Sequence, residues 1–132
     1  MIKKLLNVLI QAKVSTNIDA KTLKKISTGR NEDKFGVPEK IFLKIIKKFN
    51  SSSTINIRCL SVHIGSQILD HKPYLRMIRV IENIIKKSKN KFDYIDLGGG
   101  MGIDYNHDNS KLDLKKYSKN IEKFLKKNDC QI

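Results

Sequence analysis

Three consecutive glycines, Gly98, Gly99 and Gly100, end the short apolar run 92–97. Because glycine has no side chain, this glycine turn lets the backbone approach an anion closely and present several N–H groups to it. Phosphate is the natural ligand, although a tight connection between a strand and a loop accounts for three glycines equally well. The turn lacks the Lys-Ser/Thr ending of a P-loop and the spacing of a dinucleotide fingerprint, so a nucleotide is disfavoured.

His63 and Ser66 form a second polar group, at the end of the β-like run 55–62. Barrel enzymes place their reactive groups at the carboxyl ends of parallel strands. A single histidine is more often structural than functional. Since the two groups end successive strands of one predicted sheet, however, they should lie together at the mouth formed by the carboxyl ends of the strands. A flat ring against a cofactor face, beside a phosphate-binding turn, is a use that both groups can share.

Alternating strands and helices are predicted to position these groups. Strands are predicted over 8–14, 55–62 and 92–97, and a long loop over 15–31. Helices are predicted over 39–49, 73–87 and 113–127, where apolar residues recur at helical spacing; Pro38 is placed in the first turn of the first helix. This order is typical of right-handed βαβ units around a parallel sheet, which is an α/β fold.

The formal charge of +14 raises nucleic acid as a partner, since clustered cations displace the counterions of phosphate backbones. The charge is dispersed instead, as lysine pairs beside apolar residues along the predicted helices and loop. Solvated helix faces explain this pattern better than a nucleic-acid surface does. The pairs are Lys24-Lys25, Lys47-Lys48, Lys86-Lys87, Lys115-Lys116 and Lys126-Lys127.

The two cysteines, Cys59 and Cys130, lie far apart and have neither metal-binding nor redox spacing, so no metal site is predicted. Such sparse cysteine usage favours a reducing, cytoplasmic location. Asn7 interrupts the N-terminal apolar run before it reaches the length of a signal-peptide core. No stretch approaches the roughly 20 apolar residues of a membrane span, so no membrane association is predicted.

Four motifs in one order resemble the diaminopimelate decarboxylases, a family among the alanine-racemase-like barrel decarboxylases that use pyridoxal phosphate. The resemblance runs from about residue 8 to residue 125. Ornithine and arginine decarboxylases share the histidine and glycine elements, but the first two motifs together with the third look most like the diaminopimelate enzymes. The motifs are Ile26-Ser27-Thr28-Gly29, Asp33-Lys34-Phe35-Gly36, His63-Ile64-Gly65-Ser66-Gln67 and Asp96-Leu97-Gly98-Gly99-Gly100-Met101-Gly102-Ile103.

This resemblance implies a role for each group. His63 would stack on the pyridine ring of pyridoxal 5′-phosphate, while Ser66 and the backbone of the glycine turn would hold its phosphate. Lys34 would be structural, near the subunit contact of a homodimer, and the loop 27–29 would lie close to the mouth. The implied reaction converts a small amino-acid substrate, meso-2,6-diaminopimelate, to L-lysine and carbon dioxide, with the cofactor as electron sink.

The chain departs from the family's pattern in its extent. The family's Schiff-base lysine lies on an earlier strand, in a Tyr-Ala-Val-Lys-Ala-type motif, and no such motif precedes Val8. The Cys-Glu-Ser/Gly-Asp-type and Glu-Pro-Gly-Arg segments that should follow are missing too. A complete (β/α)8 barrel needs about 250 residues. We therefore expect residues 1–132 to be a fragment of the pyridoxal-phosphate-binding barrel domain, with about three βα units.

In such a fragment the N-terminal barrel strands and the C-terminal β-domain are absent, no catalytic residue is assigned, and the chain alone is expected to be inactive. Alternatives are a non-catalytic remnant or partner protein, and a related ornithine- or arginine-type decarboxylase. One local departure is the stretch Lys13-Val14-Ser15-Thr16, where the family usually reads Arg-Val-Asn-Pro. A point charge there replaces a planar bidentate donor.

Overall fold

The computed structural model describes residues 11–16, 18, 36–50, 56–105 and 111–132. Within them, four strands form one parallel sheet in the order β2-β1-β3-β4, and three helices connect or follow the strands. The predicted α/β alternation around a parallel sheet is confirmed. The elements are β1 Gln11–Ser15, β2 Val37–Pro38, α1 Glu39–Asn50, β3 Cys59–Val62, α2 Lys72–Ser88, β4 Tyr94–Asp96 and α3 Leu114–Asn128.

The strands differ from the prediction more than the helices do. β2 was not predicted, and its two residues pair with Val14 and Ser15 of β1. Pro38 therefore ends a strand, and α1 begins at Glu39, so placing Pro38 in the first helical turn was wrong. Proline has no N–H to donate and is tolerated on an edge strand such as this one. β3 begins at Cys59, later than predicted, and residues 8–10 and 55 lie outside the described part.

The register divides the sheet into an apolar and a polar face. Val14 pairs with Val62, and Leu60 pairs with Ile95. These four side chains are at most 1% exposed and join the helices in one hydrophobic core. The residues between them point to the opposite face, because side chains alternate along a strand. Neighbouring pairs on that second face are Lys13 with Ser61 and Ser61 with Asp96.

The helices bury one apolar face each and turn their lysines outward. α2 buries Tyr74, Met77 and Ile81 on one side. The four lysine pairs of α1, α2 and α3 are all exposed, as predicted, while Lys24-Lys25 lies outside the described residues. No helix in the described ranges is long and apolar enough to span a membrane.

Candidate cofactor-binding site

The predicted site lies at the carboxyl edge of the sheet, where β3 and β4 end side by side. His63 directly follows β3, and Leu97 links β4 to the glycine turn. Since the two strands are parallel neighbours, the histidine loop (residues 63–68) and the glycine turn leave the same edge. The structure thus brings together the two groups that the sequence predicted to converge.

Contacts between the two loops are close enough to require glycine at two positions. A Cβ atom built on Gly98 would overlap Nδ1 of His63 and lie 2.7 Å from the carbonyl oxygen of Val62. One built on Gly100 would overlap the carbonyl oxygen of Gly65 and lie 3.3 Å from the Cα atom of Ser66. Both glycines also have positive φ angles, +80° and +77°. The five predicted site residues, His63, Ser66, Gly98, Gly99 and Gly100, therefore lie in one cluster.

Backbone pairing continues past the strands and joins the two loops. The N–H of Ile68 donates to the carbonyl of Gly100 at 2.9 Å, and the N–H of Gly102 donates to the carbonyl of Ile68 at 3.0 Å. Further out, the side-chain amide of Gln67 replaces the backbone as partner. Its Oε1 accepts from the N–H of Ile103 at 3.1 Å, and its Nε2 donates to the carbonyl of Ile103. Hydrogen bonds thus join the two loops into one layer.

Two further side chains, Asp96 and Tyr74, form hydrogen bonds with the glycine turn, and the sequence predicted a role for neither of them. Oδ1 of Asp96 accepts from the N–H of Gly98 at 2.8 Å, while Oδ2 accepts from the Ser61 hydroxyl at 2.9 Å. The Tyr74 hydroxyl donates to the carbonyl of Gly99 at 2.9 Å. Asp96 directly before the glycines was a usable signal, because aspartate caps turns through its own side chain. Tyr74 lies in a helix 25 residues away and gave none.

Burial also shifts the pKa values of Tyr74 and His63. Burial, with a smaller contribution from Tyr117, raises the pKa of Tyr74 to about 12, so the hydroxyl stays a donor. Burial lowers the pKa of His63, the positive charge of Lys13 lowers it further, and Asp96 opposes both. The balance favours a neutral imidazole near pH 7. An uncharged ring suits contact with the face of an aromatic cofactor.

The turn can accept an anion at its outer side. A Cβ atom built on Gly99 would meet no protein atom within 4 Å, so the space beside it is open. Among the described residues, the N–H groups of Gly99 and Gly100 donate to no other protein group, and the exposed Ser66 hydroxyl has no recorded partner. Backbone N–H groups and a hydroxyl around an open space are suitable donors for a phosphate group. The residues present therefore fit the phosphate end of pyridoxal phosphate.

Comparison with known families shows which family the chain belongs to. The family model described as "Pyridoxal-dependent decarboxylase, pyridoxal binding domain" matches residues 2–131. The chain belongs to this family. The cofactor of this family is pyridoxal phosphate, and the chemistry of the family is decarboxylation. The predicted cofactor class is thereby confirmed for the family.

Several relatives of the chain are named diaminopimelate decarboxylases. That of Campylobacter jejuni is 35% identical over 115 residues, which cover 85% of this chain and 29% of the relative. That of Archaeoglobus fulgidus is 36% identical over 102 residues, covering 73% of this chain and 24% of the relative. The chain thus spans less than a third of the length of these two relatives.

Solved structures show the same fold. Diaminopimelate decarboxylase from Helicobacter pylori, complexed with L-lysine, superposes with a TM-score of 0.80 at 32% identity, covering 96% of this chain and 32% of the other. Lysine decarboxylase from Selenomonas ruminantium matches with a TM-score of 0.70 at 18% identity, which shows the shared fold alone. The predicted class, part of a barrel decarboxylase domain, is confirmed. Lys34 and the loop 27–29 lie outside the described residues.

Proposed function

We propose that these residues form about three βα units of the cofactor-binding barrel domain of a diaminopimelate decarboxylase. The reaction is the conversion of meso-2,6-diaminopimelate to L-lysine and carbon dioxide, in a cytoplasmic homodimer of longer chains. Support for this substrate comes from the relatives, which bear that name at 35–36% identity. The observation that carries the proposal is the meeting of His63, Ser66 and the glycine turn at one edge of the sheet.

Each site residue then has a defined task. Ser66 and the N–H groups of Gly99 and Gly100 bind the cofactor phosphate, and His63 lies against the pyridine ring as a neutral imidazole. When bound, pyridoxal phosphate supplies an electron sink for the carbanion that loss of carbon dioxide leaves. Asp96, through the N–H of Gly98, and Tyr74, through the carbonyl of Gly99, keep the glycine turn in a conformation that leaves the N–H groups of Gly99 and Gly100 available to the phosphate.

Activity requires groups that these 132 residues do not supply. The family resemblance assigns the covalently binding lysine to a Tyr-Ala-Val-Lys-Ala-type motif, which does not occur in this sequence. It assigns a Cys-Glu-Ser/Gly-Asp-type segment, which this sequence also lacks, to the second subunit. We therefore propose that this chain by itself binds the phosphate moiety but catalyses no decarboxylation.

Phosphate recognition is tested with ligands that carry no aldehyde, because the many exposed lysines would react with one. Titration calorimetry compares pyridoxine 5′-phosphate with pyridoxine at about 0.15 M salt, which screens the general attraction of a +14 chain for anions. We expect the phosphate ester to bind at least tenfold more tightly, since charge-assisted hydrogen bonds are strong. Ser66→Ala should reduce this ratio several-fold.

Ser118→Ala is the matched control, because Ser118 lies on α3 and its hydroxyl donates to the carbonyl of Lys115. It should leave the ratio unchanged. Equal affinity for the two ligands in the unaltered chain would contradict the proposed function. An equal loss in both serine variants would remove Ser66 from the site.

A further inference from the structure

Gln67 has a backbone conformation that its place in the chain does not explain. Among the described residues, three that are not glycine have positive φ: Gln67 at 60°, Lys89 at 51° and Asp129 at 47°. Lys89 and Asp129 end α2 and α3, where a left-handed residue is a common way to close a helix. Gln67 ends no helix. An interaction elsewhere must therefore hold this residue in a conformation that side chains disfavour.

The side-chain amide of Gln67 supplies that interaction. Oε1 accepts from the N–H of Ile103, and Nε2 donates to the carbonyl of the same residue. A carboxamide is matched to a backbone peptide at both ends, since it has one acceptor and one donor side by side. Glutamate could make only the accepting half, and its second oxygen would face the carbonyl of Ile103.

The two hydrogen bonds between Gln67 and Ile103 form a clamp, and the position of segment 101–103 depends strongly on it. Ile103 is 62% exposed and Met101 is 44% exposed, so burial of their side chains contributes little to holding the segment in place. Its recorded hydrogen bonds run to Ile68 and Gln67 on the histidine loop. The residue before Gln67 is Ser66, and the residue before Met101 is Gly100. Loosening the clamp therefore loosens the alignment of Ser66 with the glycine turn.

We propose that Gln67 is a positioning residue: it clamps segment 101–103 to the histidine loop, so that Ser66 and the N–H groups of the glycine turn face one phosphate. This inference rests on the proposed function and names a residue that touches no ligand itself. Its left-handed backbone aims the side chain at Ile103, and the two hydrogen bonds stabilise that backbone in return.

Gln67→Gly tests the proposal, and Lys89→Gly is its matched control. Both substitutions relieve the backbone strain of a side chain at positive φ, and only Gln67→Gly also removes the clamp. Hydrogen exchange of segment 98–104 and the affinity ratio of pyridoxine 5′-phosphate to pyridoxine are measured for both. We expect Gln67→Gly to speed exchange of the Ile103 amide at least tenfold and to reduce the ratio several-fold, with little change in melting temperature. Lys89→Gly should leave exchange and the ratio unchanged.

The outcomes separate the two proposals. If the unaltered chain prefers the phosphate ester and Gln67→Gly keeps both the ratio and the protection of Ile103, the role of Gln67 is refuted while the proposed function stands. If the unaltered chain shows no preference, the phosphate site fails, and the positioning role fails with it. Gln67→Glu gives a second test that does not depend on backbone relief, since it should also speed exchange of Ile103.

Discussion

The two edges of the sheet use their polar groups in opposite ways. At the amino edge, Arg58 pairs with Asp93, and Lys91 pairs with Asp129 at 3.1 Å. Backbone bonds close the same edge, because the N–H of Gln131 donates to the carbonyl of Asp93 at 2.9 Å. At the carboxyl edge, the N–H groups of Gly99 and Gly100 and the exposed Ser66 hydroxyl have no protein acceptor among the described residues.

This difference indicates that the carboxyl edge, and not the amino edge, has polar groups available for a ligand. Groups that are paired with each other have little capacity left for a ligand. Groups held rigidly by Asp96, Tyr74 and Gln67, yet left without acceptors, are prepared for one. The contrast also agrees with the general rule that barrels place stability at the amino face and chemistry at the carboxyl face. Substitutions at the two edges should therefore have separable effects.

The largest effect is expected from Gly100→Ala, which adds a side chain where the glycine turn touches the histidine loop at the carboxyl edge. Its Cβ atom would overlap the carbonyl oxygen of Gly65, and φ is +77°. We expect the free energy of unfolding to fall by about 2–4 kcal/mol, from overlap and backbone strain together. Urea denaturation at constant pH measures this change.

Gly99→Ala is the informative contrast to Gly100→Ala. A Cβ atom there meets no protein atom within 4 Å, so only backbone strain opposes it, and it points into the space assigned to phosphate. It should cost less stability than Gly100→Ala and more of the preference for pyridoxine 5′-phosphate. Equal destabilisation by the two variants would contradict the description of Gly99 as the open position.

Tyr74→Phe should have the next largest effect, because it removes one hydroxyl from a side chain that is 1% exposed. The carbonyl of Gly99 then loses its donor, at a cost of about 0.5–1.5 kcal/mol in unfolding free energy. The phosphate preference should fall about threefold, since 0.6–0.7 kcal/mol corresponds to roughly that factor. Tyr117→Phe is the control. The Tyr117 ring packs edge-on against the Tyr74 ring, with 5.0 Å between the ring centroids, and no hydrogen bond from its hydroxyl to the glycine turn is described. A similar loss of preference in both variants would show that the loss does not depend on the hydrogen bond from Tyr74 to Gly99.

Asp93→Asn tests the comparison with a change at the amino edge. It weakens the ion pair with Arg58, whose side chain is 37% exposed, and solvent-exposed pairs contribute little to stability. We expect the melting temperature to fall by no more than a few degrees and the phosphate preference to stay unchanged. A loss of preference would show that the two edges are coupled and that the division drawn between them is wrong.

The parts of this organisation that are local in sequence could be predicted, and those that depend on distant contacts could not. The helices were predicted to within one residue at each end, because apolar spacing and lysine-rich last turns are properties of a single segment. β2 has two residues, too few to show an alternating pattern. The roles of Tyr74 and Gln67 arise from partners 25 and 36 residues away, which no local pattern reveals. The motifs predicted the candidate site, while the side chains that hold its two loops together became visible only in the structure.

The smallest predicted effect concerns the charge state of His63. Its pKa is lowered in the folded chain, first by burial and then by Lys13, so the unfolded chain binds more protons between the folded pKa and the ordinary value of 6.5. Stability is therefore complete above about pH 6.5 and falls as the pH drops below it. His63→Gln should remove this contribution, leaving a flatter dependence of melting temperature on pH between about 7.5 and 5.5. Because the imidazole is only half-buried, the difference between the two curves should be a few degrees at most. Parallel curves would mean that the surroundings of His63 do not favour its neutral form, and the proposed contact with a cofactor ring would lose its electrostatic support.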